Sequence, residues 1–363
     1  MKKLIVKGQG VLVFPTIDSF LLLHKENDDG LSFKYTNDFI VVYRIKDNTV
    51  IISKKIENIR GSFFVSLNAQ TQEISVGFGE ARFENIIFIY TFDNQLKHFL
   101  ESIELVSNKN VKIIKDPIKK TIPLLIKENL SMDDIANCRY MPVSALSTIC
   151  QKLYNCISGK KFVLNTPDFP DFSKAIDYSI KTPGLWCNKK LIEKSNEFGK
   201  PNLDETYLRI TLGNNNGESP GIPYVMEIWP IGHYSPIHSH SSANAIIRVL
   251  RGEINVSLFP FLGADKEFAS RTFKKGDITW IMPTLNQTHQ LKNQSYKNCV
   301  TIQCYSYDEE DVSHYDYFDY IDQDNHVQQY EPDSDMDFLE FKELMKQEWK
   351  GKSLISKLLL TGF

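Results

Sequence analysis

The stretch WPIGHYSPIHSHSSANAIIRVLRGEINVSL, residues 229–258, carries His238 and His240 on either side of one serine, with Gly232 before them and Gly252 after. Side chains alternate faces along a β-strand, so this spacing predicts both imidazoles on the same side. A third histidine, His289, follows in a second strand-like run, THQLKN, between Pro283 and Asn293. An isolated His-x-His is more often two surface histidines on a loop. The flanking glycines, the β-rich surroundings and the third histidine favour a three-histidine metal site instead. The remaining histidines read as ordinary polar residues. His233 is flanked by turn residues, and His24, His98, His314 and His326 have no partner at ligand spacing.

At 363 residues the chain is long enough for two domains, and 42% hydrophobic residues can fill real cores. A net charge of −3 gives no general reason to bind nucleic acid. No apolar run reaches the roughly 18 residues that span a bilayer. The start, MKKLIVKGQGVLVF, is basic then apolar, but Lys7 interrupts it and no small-residue cleavage site follows, so it reads as a first strand. Six cysteines with no regular framework and no CxxC pair suggest reduced thiols, a cytoplasmic location and no zinc finger.

Residues 1–95 read as an antiparallel β-sandwich, a binding or assembly module with a capacity for self-association. Runs at 39–45, 49–55, 62–69, 73–79 and 84–92 are rich in β-branched and aromatic residues and separated by short turns. With the turn GFGEARFEN they resemble the farnesoic acid O-methyltransferase-like β-sandwich module. Residues 96–140, Lys-rich and broken by Pro117 and Pro123, read as a junction, with a helix over NQLKHFLESIELV. Ser131 and Asp134 mark a helix start. Helices are expected at 143–156, 172–180 and 184–197. A barrel follows, with strands at 206–212, 224–230, 245–259, 268–282, 289–293 and 299–307 and a turn at 213–217. Thirteen acids and no Lys or Arg between residues 305 and 340 read as a solvated face whose tyrosines pack partly on the barrel. Phe338, Phe341, Met345 and Trp349 form a helical stripe expected to dock on the protein's own core or a twin subunit. The expected organisation is a 141–330 barrel domain and a 331–363 helical tail. The fold class is mainly β with some α: a sandwich, then small helices and a jelly-roll barrel.

The spacing G-x5-H-x-H…G followed by P-x5-H-x3-N resembles the two motifs of the cupin superfamily. A glutamate ligand usually follows the second histidine by four or five residues there. Here Ala245 stands at the fifth position and nothing acidic lies between, which leaves three neutral histidines. Imidazole suits Fe, Zn, Cu and Ni, and three ligands leave open positions for a chelating substrate and O2.

Residues 172–307 resemble the cysteine dioxygenase family, iron enzymes that oxidise cysteine to cysteine sulfinate. In that family a strand beginning Y-x-R-N-L precedes one ending W-x-x-G-H-x-S-x-I-H-x-H. This chain has YLRITL from Tyr207 and WPIGHYSPIHSH from Trp229. The family's L-K-x-L-x-G-x-L is matched by IRVLRGEI from Ile247, its H-x-x-x-N by His289 to Asn293, and its S-x-H-x-Y-S by TIQCYS from Thr301. The resemblance implies that His238, His240 and His289 hold Fe(II), that Arg209 pairs with a substrate carboxylate, and that Tyr305 donates a hydrogen bond near oxygen or the carboxylate. Thr301 and Gln303 would support Tyr305. The chain departs from the family at two places. Ala245 stands where animal members carry a cysteine cross-linked to the tyrosine, and Gln303 replaces a histidine, so that position cannot titrate. Relatives acting on 3-mercaptopropionate commonly have Gln in place of the Arg, so Arg209 implies L-cysteine, with O2, as the small-molecule partner. Two other readings stay open: a cupin metalloenzyme for a different chelating substrate, and a non-catalytic binding protein.

Overall fold

The computed structural model describes residues 2–16, 19–24, 29–36, 38–56, 62–92, 99–107, 110–159, 162–212, 224–240, 243–307 and 318–361. The turn expected at 213–217, His98, His314 and much of the acidic run fall outside these. The chain divides into two compact units, Met1–Ile122 and Pro123–Phe363. Among the described residues no helix is long and apolar enough to cross a membrane, and no disulfide joins any of the six cysteines.

The first unit is an antiparallel β-sandwich. Its strands are β1 (Lys2–Val6), β2 (Gln9–Phe14), β3 (Phe20–His24), β4 (Gly30–Thr36), β5 (Phe39–Arg44), β6 (Val50–Lys55), β7 (Phe63–Asn68), β8 (Glu73–Phe78), β9 (Ile86–Thr91), β10 (Ile103–Ser107) and β11 (Lys112–Ile114). One sheet runs β1-β10-β3-β4-β5-β6 and the other β11-β2-β7-β8-β9. Alternate residues of both point into one core, where the Phe14 ring lies 4.7 Å from Phe20 and 5.6 Å from Phe63. Gly77 is required by close approach: a Cβ there would sit 2.2 Å from the Phe64 ring. The structure corrects the reading of 96–140 as a junction with a helix. Residues 103–107 form β10, in register between β1 and β3, and residues 112–114 form β11 against β2. Ile103 and Leu105 are buried in the sandwich core. Of the helix expected over 94–106, residues 94–98 lie outside the described residues, 99–101 form one 3-10 turn and 103–106 are strand.

The second unit opens with a short parallel pair, β12 (Ile126–Lys127) and β13 (Met141–Pro142). Four helices follow or intervene: α1 (Met132–Ala136), α2 (Thr148–Ile157), α3 (Phe172–Lys181) and α4 (Trp186–Glu193). The Ser131–Asp134 capping box is present at α1, and the Ser147 side chain caps α2. The barrel strands are β14 (Leu208–Leu212), β15 (Tyr224–Trp229), β16 (His238–Ser239), β17 (Asn244–Arg251), β18 (Glu253–Leu258), β19 (Ala269–Lys274), β20 (Ile278–Ile281), β21 (Thr288–Lys292), β22 (Cys299–Ser306), β23 (Phe318–Ile321), β24 (Val327–Tyr330) and β25 (Met336–Asp337), before α5 (Phe338–Thr361).

These strands form two six-stranded sheets, β20-β17-β22-β15-β14-β25 and β19-β18-β21-β16-β23-β24. The chain passes repeatedly from one to the other, as a jelly-roll requires. Gly252, at φ 71°, makes one such corner between β17 and β18, and a Cβ there would meet the Asn298 carbonyl at 2.8 Å. The run 245–259 is therefore two strands on different sheets, and 268–282 is likewise β19 and β20. Period-two alternation sorts the first sheet's side chains. Leu208, Ile210, Met226, Ile228 and Val300 face outward onto α3, α4 and α5, where Phe341 and Met345 are fully buried. Tyr207, Trp229 and Val249 face inward, against Ile254, Val256 and Leu291 of the second sheet. Arg251 fixes α3 to β17 through both oxygens of Asp177, at 2.8 and 2.6 Å. The described part of 331–363 is thus not a tail apart from the barrel: β25 extends one sheet and α5 packs on it. Within the acidic run, β23 and β24 form a hairpin in the second sheet.

Candidate metal centre

His238 lies on β16 and His289 on β21, directly opposite each other in antiparallel register. His240 follows β16 at once, where its carbonyl accepts from the Ala243 N–H at 3.0 Å. The three ring centroids stand 4.6–4.9 Å apart, and all three residues are buried. One ligand-type atom from each lies within 4.8 Å of the other two, and among the described residues this is the group with metal-ligand character.

Local structure sets the ring orientations. The Nδ1 of His238 is 3.0 Å from the Pro236 carbonyl, and the Nδ1 of His289 is 3.1 Å from the Asn286 carbonyl. A carbonyl only accepts, so both Nδ1 atoms carry the proton and both Nε2 atoms present a lone pair. Asn286 can turn its carbonyl this way because it adopts φ 62°, a left-handed conformation asparagine tolerates, and its amide is tied to the Trp280 carbonyl. His240 Nδ1 is buried without a hydrogen-bond partner, while its Nε2 lies 3.3 Å from His289 Nε2. Nitrogens about 2.0–2.1 Å from one ion and about 90–110° apart around it are roughly 2.9–3.4 Å from each other, so the pair has a ligand bite. Burial pushes His238 down to about 4 and His289 to about 3, and with the neighbouring imidazoles holds His240 well below the usual range. All three are neutral, the form that ligates. The donor set fits a borderline ion such as Fe(II) or Zn(II).

Around the cluster stand two aromatic rings. Tyr305 stacks 5.6 Å from the His240 ring, and Phe318 of β23 approaches the same ring edge-on at 4.2 Å. Phe318 also lies 5.6 Å from His238. Tyr305 pairs in register with Ala245, so the residue across from it is the one that cannot form a thioether. Behind Tyr305 runs a buried polar chain. The Tyr305 hydroxyl donates to the Gln303 carbonyl oxygen, and the Gln303 amide donates to Glu227. Arg209 Nη1 donates to the other Glu227 oxygen at 3.1 Å. The guanidinium lies 5.9 Å from the Tyr305 ring centre. Burial pushes Glu227 up to about 7, against the pull of Arg209.

The structure thus brings His238, His240, His289, Tyr305, Gln303 and Arg209 together. Thr301 is in the same layer but stands outside the chain, its hydroxyl 3.4 Å from the Trp229 indole nitrogen. His233 is buried against Thr206, at 3.0 Å from both its carbonyl and its hydroxyl. Glu227 was missed in the sequence. A lone carboxylate in the otherwise apolar strand YVMEIW is unusual, but its partner Arg209 is set only by the β14–β15 register.

No family model matches the chain, and no curated protein matches it. Solved structures similar to part of it include oxalate oxidase in complex with glycolate, at 19% identity and a TM-score of 0.24 over 28% of this chain and 51% of that one. A Cupin_2 domain of an XRE family transcriptional regulator from Enterobacter cloacae is 15% identical with a TM-score of 0.23, covering 28% of this chain and 98% of that one. The Schizosaccharomyces pombe Cnp3 cupin domain is 14% identical with a TM-score of 0.23, covering 28% and 65%. The chain spans about half the length of the oxalate oxidase chain it matches.

Proposed function

We propose that the second unit is a thiol dioxygenase that uses Fe(II) held by His238, His240 and His289. The observation that carries this reading is the cluster itself: three buried, neutral histidines with no carboxylate among them, facing a tyrosine whose hydroxyl is held by Gln303. Bound Fe(II) would supply the redox chemistry that couples dioxygen to sulfur. In the net reaction a thiol and O2 give a sulfinic acid: sulfur is oxidised, dioxygen is reduced, and both oxygen atoms end on sulfur. The protein's part is positional. Backbone carbonyls fix two imidazoles, Gln303 fixes the Tyr305 hydroxyl beside His240, and Phe318 with the barrel's apolar residues excludes water from the centre. L-cysteine is the thiol the sequence resemblance implies, and the free thiols suit a reducing cytosol.

The test is oxygen uptake by anaerobically iron-loaded protein given L-cysteine and a panel of other small thiols, with sulfinate assayed and His240→Ala as control. Uptake matched by sulfinate and lost in the control is expected. Bound iron with no thiol oxidised would rule the reading out.

A further inference from the structure

The registers of β14, β15 and β22 put Arg209, Glu227, Gln303 and Tyr305 on one face, and all four are buried. Their hydrogen bonds run in one direction. The Tyr305 hydroxyl donates to Gln303 Oε1, Gln303 Nε2 donates to one Glu227 oxygen, and Arg209 Nη1 donates to the other at 3.1 Å. Chemistry dictates this order. A carboxylate only accepts, so the end of the Gln303 amide that faces Glu227 is its NH2. The end left for Tyr305 is the carbonyl oxygen, which also only accepts. Arg209 lies 5.9 Å from the Tyr305 ring centre and only donates, so it cannot take the hydroxyl proton.

We infer that Glu227 is a positioning residue: through Gln303 it commits the Tyr305 hydroxyl proton to the protein, so that Tyr305 meets a ligand as an acceptor. The family resemblance implies the reverse, donation toward oxygen or a carboxylate. A group that reaches the Tyr305 oxygen here brings its own proton, as an ammonium, an amine or a water does and a bare carboxylate does not. The identity of that ligand rests on the thiol dioxygenase reading; the direction of the proton does not.

The test reads the phenol C–O stretch of Tyr305 in the full-length protein, with Fe(II) added and oxygen excluded. Each protein is measured by infrared difference against the same protein carrying Tyr305→Phe. The buffer is mildly alkaline, so that Glu227, raised to about 7, carries its charge. Donation strengthens the C–O bond and raises its stretch, and acceptance lowers it. The wild type should show the raised band. In Glu227→Gln the introduced amide gives its carbonyl to Arg209, which leaves its NH2 for Gln303. The Gln303 amide then turns round and donates to Tyr305, so the band should drop to the lowered position. Should that variant fail to fold, Gln303→Leu keeps the carboxylate, removes the relay and should likewise lose the raised band. A lowered band in the wild type, or a raised band that survives either variant, would overturn the inference. A purely structural Glu227 would change unfolding and leave the band in place. The expected bands in a protein that oxidises no thiol would uphold the inference and sink the dioxygenase reading. A lowered wild-type band in a protein that does oxidise thiols would do the opposite.

Discussion

At the scale of single residues, the candidate metal centre depends on how each imidazole is held. His238 and His289 are each fixed by a backbone carbonyl, whereas His240 is positioned by the turn after β16 and by the rings of Tyr305 and Phe318. His240→Ala should therefore leave the fold intact and abolish iron retention. Metal analysis after desalting checks this, and iron held equally by the variant would place the ion elsewhere. Phe318→Ala removes the ring that lies edge-on to His240, so a chelator should strip the ion several-fold faster than from the wild type, measured as the rate of colour development with a ferrous chelator. Tyr305→Phe deletes the donor to Gln303 and leaves a buried oxygen unsatisfied. The expected loss is about 1–3 kcal/mol in denaturant unfolding, with iron retained. The three histidines were legible as a cluster because ligand spacing is a local signal; Arg209 and Tyr305 came only through the family resemblance, and the structure gives them a place near that cluster, not a role. Glu227 was not legible, because nothing local says that a carboxylate in a buried strand has a partner. That information lies in the β14–β15 register, which pairs residues eighteen positions apart.

At the scale of elements, α5 is the clearest case of packing deciding the outcome. Phe341 and Met345 are fully buried against α3, α4 and the outer face of β14, and Phe341 lies 5.4 Å from the Trp186 ring. Phe341→Ala should cost about 3–5 kcal/mol in the second unit's unfolding free energy. A loss below about 1 kcal/mol would mean the helix is only loosely docked, since surface substitutions stay in that range. The stripe Phe338-Phe341-Met345-Trp349 already showed this face in the sequence, because a 3.6-residue period is a local signal. Most barrel strands were legible for the same reason, as runs apolar on both faces. The corner at Gly252 was not, since a strand that changes sheets reads as one long run. Nor were β23 and β24. Their acids dominate the composition, yet Phe318 and Tyr320 alternate with polar residues and turn inward.

At the scale of the molecule, each unit has a hydrophobic core of its own. Residues 1–122 expressed alone should fold, giving dispersed amide resonances and cooperative unfolding. A collapsed spectrum would show that the sandwich needs the rest of the chain. The division near residue 122 was hidden in the sequence by a lysine-rich stretch that resembles a linker, although two of its segments complete the first sandwich. The order in which the barrel is assembled has a temporal side. His238 sits on a two-residue strand whose neighbours are β21 and β23, and β23 lies far downstream of both metal-ligand motifs. A growing chain therefore completes its sandwich, then exposes the three histidines, and only afterwards makes the strand and the phenylalanine that close over them. The covering of His238 and His240 by Phe318 is therefore one of the later events of synthesis.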